Sequence, residues 1–91
     1  MFNKLKHLKD LRQQAKTIQN TLAKETITVE KNGIKVVVNG NLEIKEITLN
    51  LNLAKDSQEG ILRDCLNEAI KKTQRLMARK MQEMGGLPNF N

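Results

Sequence analysis

Apolar residues recur along this chain with two different periods, and the switch between them divides it into five elements. From residue 4 to 24, Leu8, Leu11, Ala15, Ile18 and Leu22 are spaced by three, four, three and four. That is a single coiled-coil-like stripe on a helix, and the polar positions between are mostly Lys, Gln and Arg, which favour helix. At Thr26 the period becomes two. Residues 26–30 alternate and are rich in β-branched side chains, as in a strand. Lys31-Asn32-Gly33 follows, and Asn-Gly between apolar runs is a strong signal for a tight hairpin. Residues 34–39 read as a second strand, Gly40-Asn41 as a turn, and 42–50 as a third strand through Leu42, Ile44, Ile47 and Leu49. The three-residue step from Ile44 to Ile47 breaks strict alternation and predicts a bulge or an irregular start.

A loop over residues 52–57 leads into a second long helix, predicted over 58–84, with Asp56 or Ser57 as its cap. Its apolar positions are Ile61, Leu62, Cys65, Leu66, Ala69, Ile70, Leu76, Met77, Met81 and Met84. Gly85-Gly86 ends it, and residues 85–91 form a short tail. The fold class is α+β, an α-β-β-β-α chain with a three-stranded antiparallel meander, one domain over residues 1–91.

Helices of this length reach roughly 30–40 Å at 1.5 Å per residue, whereas strands of six residues reach about 20 Å. Both helices should therefore overhang the sheet as arms. The stripe Leu8, Leu11, Ala15, Ile18 and Leu22 and the stripe through Met77 and Met81 then have nothing in one protomer to cover them. A homodimer joined through these residues is the expectation.

Composition narrows the functional classes. The 91 residues contain no Trp, no Tyr and only Phe2 and Phe90 as aromatics, so the core is thin and aliphatic. Cys65 is the only cysteine, which rules out an intrachain disulfide and suits a reducing cytoplasm. No leader-like segment and no membrane-spanning run is evident, so the expected location is cytoplasmic. The net charge of +6 is uneven. Residues 1–24 carry +5, residues 25–62 carry −2 and residues 63–91 carry +3. Basic ends around a slightly acidic middle suggest a polyanion as partner.

Catalysis has few candidates. His7 is the only histidine and has no acid placed to orient it. Cys65 falls on an apolar helix face, where a small buried hydrophobe is the plainer reading. No metal-ligand set and no phosphate-cradling glycine loop is present in the sequence. The expectation is a binding protein with no enzymatic activity, no cofactor, no metal and no small-molecule substrate.

The basic stripes carry the functional signal. Lys9, Arg12 and Lys16 share one face of the first helix by their i, i+3, i+7 spacing. Lys72, Arg75 and Arg79 repeat that spacing on the last helix, flanked by Lys71 and Lys80, and no acid interrupts residues 69–82. The plainer reading is a solvated face with pairs such as Glu68–Lys72 and Arg79–Glu83. The functional reading is neutralisation of phosphates. With almost no aromatics to stack single-stranded bases, a duplex read through its backbone is the better match. Basic helices that dock on RNA, the ribosome or an acidic protein are the alternative. A membrane-surface role is disfavoured, because the apolar seam is narrow and lacks Trp.

Over nearly its full length the chain resembles the YbaB/EbfC family of bacterial nucleoid-associated proteins. The resemblance lies in an ordered set of pieces. Met1-Phe2 leads into a helix carrying Arg12-Gln13-Gln14-Ala15. Gly33-Ile34-Lys35-Val36-Val37-Val38-Asn39-Gly40 is similar to the family's core strand. Ile47-Thr48-Leu49 closes a strand, Leu66-Asn67-Glu68-Ala69 lies in the last helix, and Gly85-Gly86-Leu87-Pro88 ends the chain. The resemblance implies an α-β-β-β-α protomer, a homodimer joined through sheets and helices, and duplex DNA gripped between helical arms in the nucleoid. Two positions depart from the family. Asn50-Leu51-Asn52 stands where Asp-Pro is usual, and Pro88-Asn89 where Pro-Gly is usual. The family brings no catalytic motif and no strict set of DNA contacts, so the candidate contacts rest on charge geometry.

Overall fold

A computed structural model describes the backbone of residues 2–83 and the side chains of residues 8–83. The elements run α1 (Phe2–Ala23), β1 (Thr26–Lys31), β2 (Ile34–Asn39), β3 (Ile44–Thr48) and α2 (Lys55–Glu83). The three strands form one antiparallel sheet in the order β1-β2-β3. The expected α+β order is therefore observed. The helix stop at Gly85-Gly86, Met84 and the tail lie outside the described residues.

Turn chemistry sets the register. Lys31 pairs with Ile34 across a two-residue turn in which Asn32 and Gly33 both have positive φ, 51° and 83°. That conformation matches the strand twist and explains the Asn-Gly pair. The Asn50 side chain clasps the turn by donating from Nδ2 to the Asn32 carbonyl at 2.8 Å. Between β2 and β3, Val38 pairs with Ile44 and Val37 with Glu46. Lys45 is thus the extra residue of a bulge. The bulge puts Ile44 and Ile47 on one face in spite of their three-residue spacing.

β3 is shorter than the 42–50 expected. Leu42 sits in the preceding turn at φ 64°, and Asn39 organises that turn. Its buried Oδ1 accepts from the amides of Asn41 and Glu43, and its Nδ2 donates to the Glu43 carboxylate. The second helix also begins earlier than expected. Its first backbone bond runs from the Gln58 amide to the Ala54 carbonyl. Ala54, not Asp56 or Ser57, stands at the cap, and Asp56 contributes negative charge to the first turn.

The core is the sandwich of α2 on β1 and β2. Val29, Ile34, Val36 and Val38 from the sheet meet Cys65 and Ala69 from the helix, with Ile61, Leu62 and Leu66 packed at the margin. The buried line of α2 is Cys65, Ala69, Thr73 and Leu76. Its first three members are small, which lets the helix sit close to the sheet. Thr73 was not anticipated inside, and its hydroxyl is satisfied by donating to the Ala69 carbonyl at 2.7 Å.

Among the described residues, α1 touches the rest of the protomer only near its C-terminal end. Leu22 is 4% exposed, while Leu8 and Leu11 are open to solvent. The radius of gyration is 18.0 Å and the extents are 63 × 21 × 18 Å. A compact chain of this length would have a radius near 12 Å. The overhanging helices account for the difference.

Candidate nucleic-acid interface

α2 has two unlike flanks, and the buried line fixes which way each one faces. At 3.6 residues per turn, Lys71, Lys72, Arg75 and Arg79 fall on one side of the line Cys65, Ala69, Thr73, Leu76. All four are exposed. This basic flank is on the β1 side. Glu68, on the same flank, reaches Lys31 at the end of β1, with Oε1 3.7 Å from its ammonium. The other oxygen of Glu68 is 3.8 Å from Lys72. An open groove between β1 and α2 is lined by Lys31, Asp64, Glu68, Lys71, Lys72 and Arg75.

Lys80 stands apart from this group. Its ammonium lies 2.9 Å from Glu25 and 3.4 Å from Glu83. Hydrogen bonds to Glu25 first, then Glu83, push its pKa above the ordinary lysine value. Lys80 therefore ties α2 to the chain just after α1. The expected Glu68–Lys72 pair is formed. Glu83 takes Lys80, where Arg79 was expected.

On α1, Lys9, Arg12 and Lys16 are exposed on one side of the overhanging helix, next to Leu8, Leu11 and Ala15, also exposed. The two basic stripes project from different elements. Of the residues expected to join two copies, Leu22 is already buried inside the protomer and has little left to bury elsewhere. Ile18, Met77 and Met81 are half-buried.

A larger apolar surface lies on the β3 side. Val36 pairs with Ile47 and Val38 with Ile44, so both isoleucines share the face on which α2 sits. α2 covers β1 and β2 and stops short of β3. Ile44 is 55% exposed, Ile47 45% and Leu49 46%. On α2 the flank opposite the basic one carries Leu66, Ile70, Met77 and Met81, of which Ile70 is 40% exposed. Sequence reading missed this surface by treating the meander face as wholly buried. The available signal was width. A helix 10–12 Å across covers about two strands at 4.7–4.9 Å spacing and leaves the third open.

Cys65 is fully buried against the Ile34 carbonyl. Burial pushes its thiol pKa up, against the opposing effect of the Lys31 ammonium. The His7 side chain lies outside the described residues. Among the described residues no group of three or more His, Cys, Asp or Glu could hold a metal ion. No described helix is long and apolar enough to cross a membrane.

The sequence is similar to those of known proteins. Residues 1–87 match the model of the YbaB/EbfC DNA-binding family. The chain is 39% identical over 74 residues to a nucleoid-associated protein of Persephonella marina, covering 75% of this chain and 67% of that one. It is 33% identical over 72 residues to a nucleoid-associated protein of Mycoplasmopsis pulmonis, covering 75% and 72%. A nucleoid-associated protein of Caldicellulosiruptor saccharolyticus is 35% identical over 57 residues, 58% of this chain and 50% of that one. With the family match running from the first arm through the sheet to the end of the second, the chain belongs to the YbaB/EbfC DNA-binding family.

Proposed function

We propose that this protein binds duplex DNA as a nucleoid-associated homodimer. It contacts mainly the phosphate backbone, with weak sequence selectivity, and so influences nucleoid organisation and gene expression in the bacterial cytoplasm. The observation that carries the reading is the α2 flank, where Lys71, Lys72, Arg75 and Arg79 are all exposed on one side of an overhanging helix. From Lys72 to Arg79 the stripe spans about 10 Å of helix. Over that length one DNA strand presents about three phosphates at 3.4 Å of axis each. Family membership and the names of the relatives support DNA as the polyanion. The near absence of aromatic residues argues against base stacking as the main contact.

The second copy belongs to the same proposal. Ile44, Ile47 and Leu49 with the Ile70 flank of α2 form an apolar surface on the side away from the cations. A second protomer seated there would bury it and leave the α2 cations outward. The seam at Leu8 and Leu11 is available to the same partner.

The test is a gel shift with duplex DNA, single-stranded DNA and RNA of equal length at several salt concentrations. Duplex binding should lead, with log affinity falling linearly in log salt by about 0.9 per phosphate contacted. Replacing Arg75 and Arg79 with Gln should weaken binding to all sequences alike and flatten that line. RNA bound far better than duplex at matched salt would instead favour basic helices that serve RNA or the ribosome.

A further inference from the structure

Glu68 divides its two carboxylate oxygens between Lys31 and Lys72, at 3.7 and 3.8 Å. Both contacts are long, and all three side chains are roughly 40–50% exposed. Pairs of this kind hold by little and exchange readily with solvent or another anion. Lys71 and Arg75 open into the same groove. Its second acid, Asp64, is turned onto its own neighbour, with Oδ1 3.2 Å from Arg63 Nε. Glu68 is therefore the acid that holds two of the groove's lysines, Lys31 and Lys72. Lys31 is also well placed to wait for a ligand. It ends β1 at the tight Asn32-Gly33 turn, which Asn50 clasps from the loop after β3.

We infer that the β1–α2 groove is a phosphate subsite for the duplex backbone, in which Lys31 acts with Lys72 and Arg75 and the Glu68 carboxylate is an internal competitor that the phosphate displaces. The inference rests on the DNA-binding reading and adds to it a sheet residue and a built-in restraint on affinity. With Glu68 in place, part of the groove's positive charge is already neutralised. A phosphodiester entering between Lys31 and Lys72 takes over both ammoniums, and Glu68 swings to water. The restraint should show as weaker binding and a shallower salt line than the four cations alone would give.

The sheet supplies its own control. Lys35 and Glu46 form a similar exposed pair at 3.4 Å. They lie on the opposite face, since Lys35 and Glu46 alternate with the buried Ile34 and Val36 and with Ile47. Glu68→Gln, Lys31→Gln, Glu46→Gln and Lys35→Gln change net charge by one each, all at partly exposed side chains. The measurement is duplex affinity by fluorescence anisotropy between 50 and 200 mM salt, with melting curves as a folding check. Glu68→Gln should tighten binding and steepen the salt line, and Lys31→Gln should do the reverse. A full phosphate contact changes the loss of affinity over that salt range by roughly three-fold. The gain from Glu68→Gln should shrink when Lys31 is also Gln, and both opposite-face changes should be near silent. Equal effects from Glu46→Gln and Glu68→Gln would show net charge alone at work and overturn the subsite. So would silent changes at Lys31 and Glu68 in a protein whose binding still depends on Arg75 and Arg79. A wild-type protein with no duplex affinity would overturn the DNA reading itself, and the subsite with it.

Discussion

The Gly40 amide donates to the Leu22 carbonyl at 2.9 Å, joining the end of β2 to the last turn of α1. The same amide lies 3.1 Å from the Glu25 carbonyl, and Asn41 Nδ2 donates to the Gln19 carbonyl at 3.0 Å. This is where the first arm is anchored to the sheet. A Cβ on residue 40 would stand 2.5 Å from the Leu22 oxygen and 3.0 Å from its Cα. Both are backbone atoms at a helix end, so neither can swing aside. Gly40→Ala should cost about 1–3 kcal/mol by overpacking. In a chain of this size that lowers the melting temperature by roughly 4–8 °C per kcal/mol. An unchanged melting temperature would refute the close approach.

The second anchor of the arms is electrostatic. Lys80 bonds to Glu25 and Glu83, and its pKa is raised by those bonds. A raised folded-state pKa means that folding favours the protonated lysine. Its contribution is therefore whole below the ordinary lysine value and disappears as pH climbs through the raised one. Lys80→Met should unfold at a lower urea midpoint than wild type at pH 8, and the gap should narrow above pH 10. A gap that stayed constant to high pH would mean that the aliphatic stem of Lys80, and not its charge, matters at this site.

Cys65 has neither access nor thiolate character, since it is fully buried and its thiol pKa is pushed up by that burial. Thiol labelling at pH 8 should thus be slow in native buffer and should accelerate in step with urea-induced opening. Cys65→Ala should leave DNA affinity unchanged while costing some stability through a small cavity. Labelling at the rate of a free cysteine in native buffer would show that α2 lifts from the sheet.

Periodicity made the five elements legible, because the helical stripe and the alternating strands report on burial within one element at a time. The bulge was legible for the same reason, as a lost step between Ile44 and Ile47. Relations between elements were not. Leu42 reads as a strand residue by hydropathy, yet Asn39 draws it into a turn at positive φ. Lys80 continues a basic run, but Glu25, far away in sequence, claims it. Lys31 reads as a hairpin flank, and only the packing of α2 on β1 sets it beside Lys72. Thr73 looks polar, although a helix can bury a threonine whose hydroxyl bonds back one turn. The candidate cations Lys71, Lys72, Arg75 and Arg79 did come together on one flank, since their spacing is a property of a single helix.

The last prediction concerns the seat of the second copy. Ile47 is 45% exposed in the protomer and lies on the α2 face of the sheet, on the strand that α2 leaves uncovered. Ile47→Gln keeps the charge and should cost the protomer little, as exposed substitutions usually change stability by less than about 0.5 kcal/mol. If β3 is the interface, the same change places an amide in a desolvated apolar contact and dimerisation should collapse. Sedimentation equilibrium should give twice the 10.4 kDa chain mass for wild type and the single mass for Ile47→Gln. Because a monomer carries half of the basic stripes, its salt line for duplex DNA should be about half as steep. Thr48→Gln, one residue along and on the opposite face, should remain dimeric. Should Ile47→Gln stay dimeric with its salt line unchanged, β3 is not the seat. The exposed seam at Leu8 and Leu11 then becomes the surface to test, with Leu11→Gln in the same experiment.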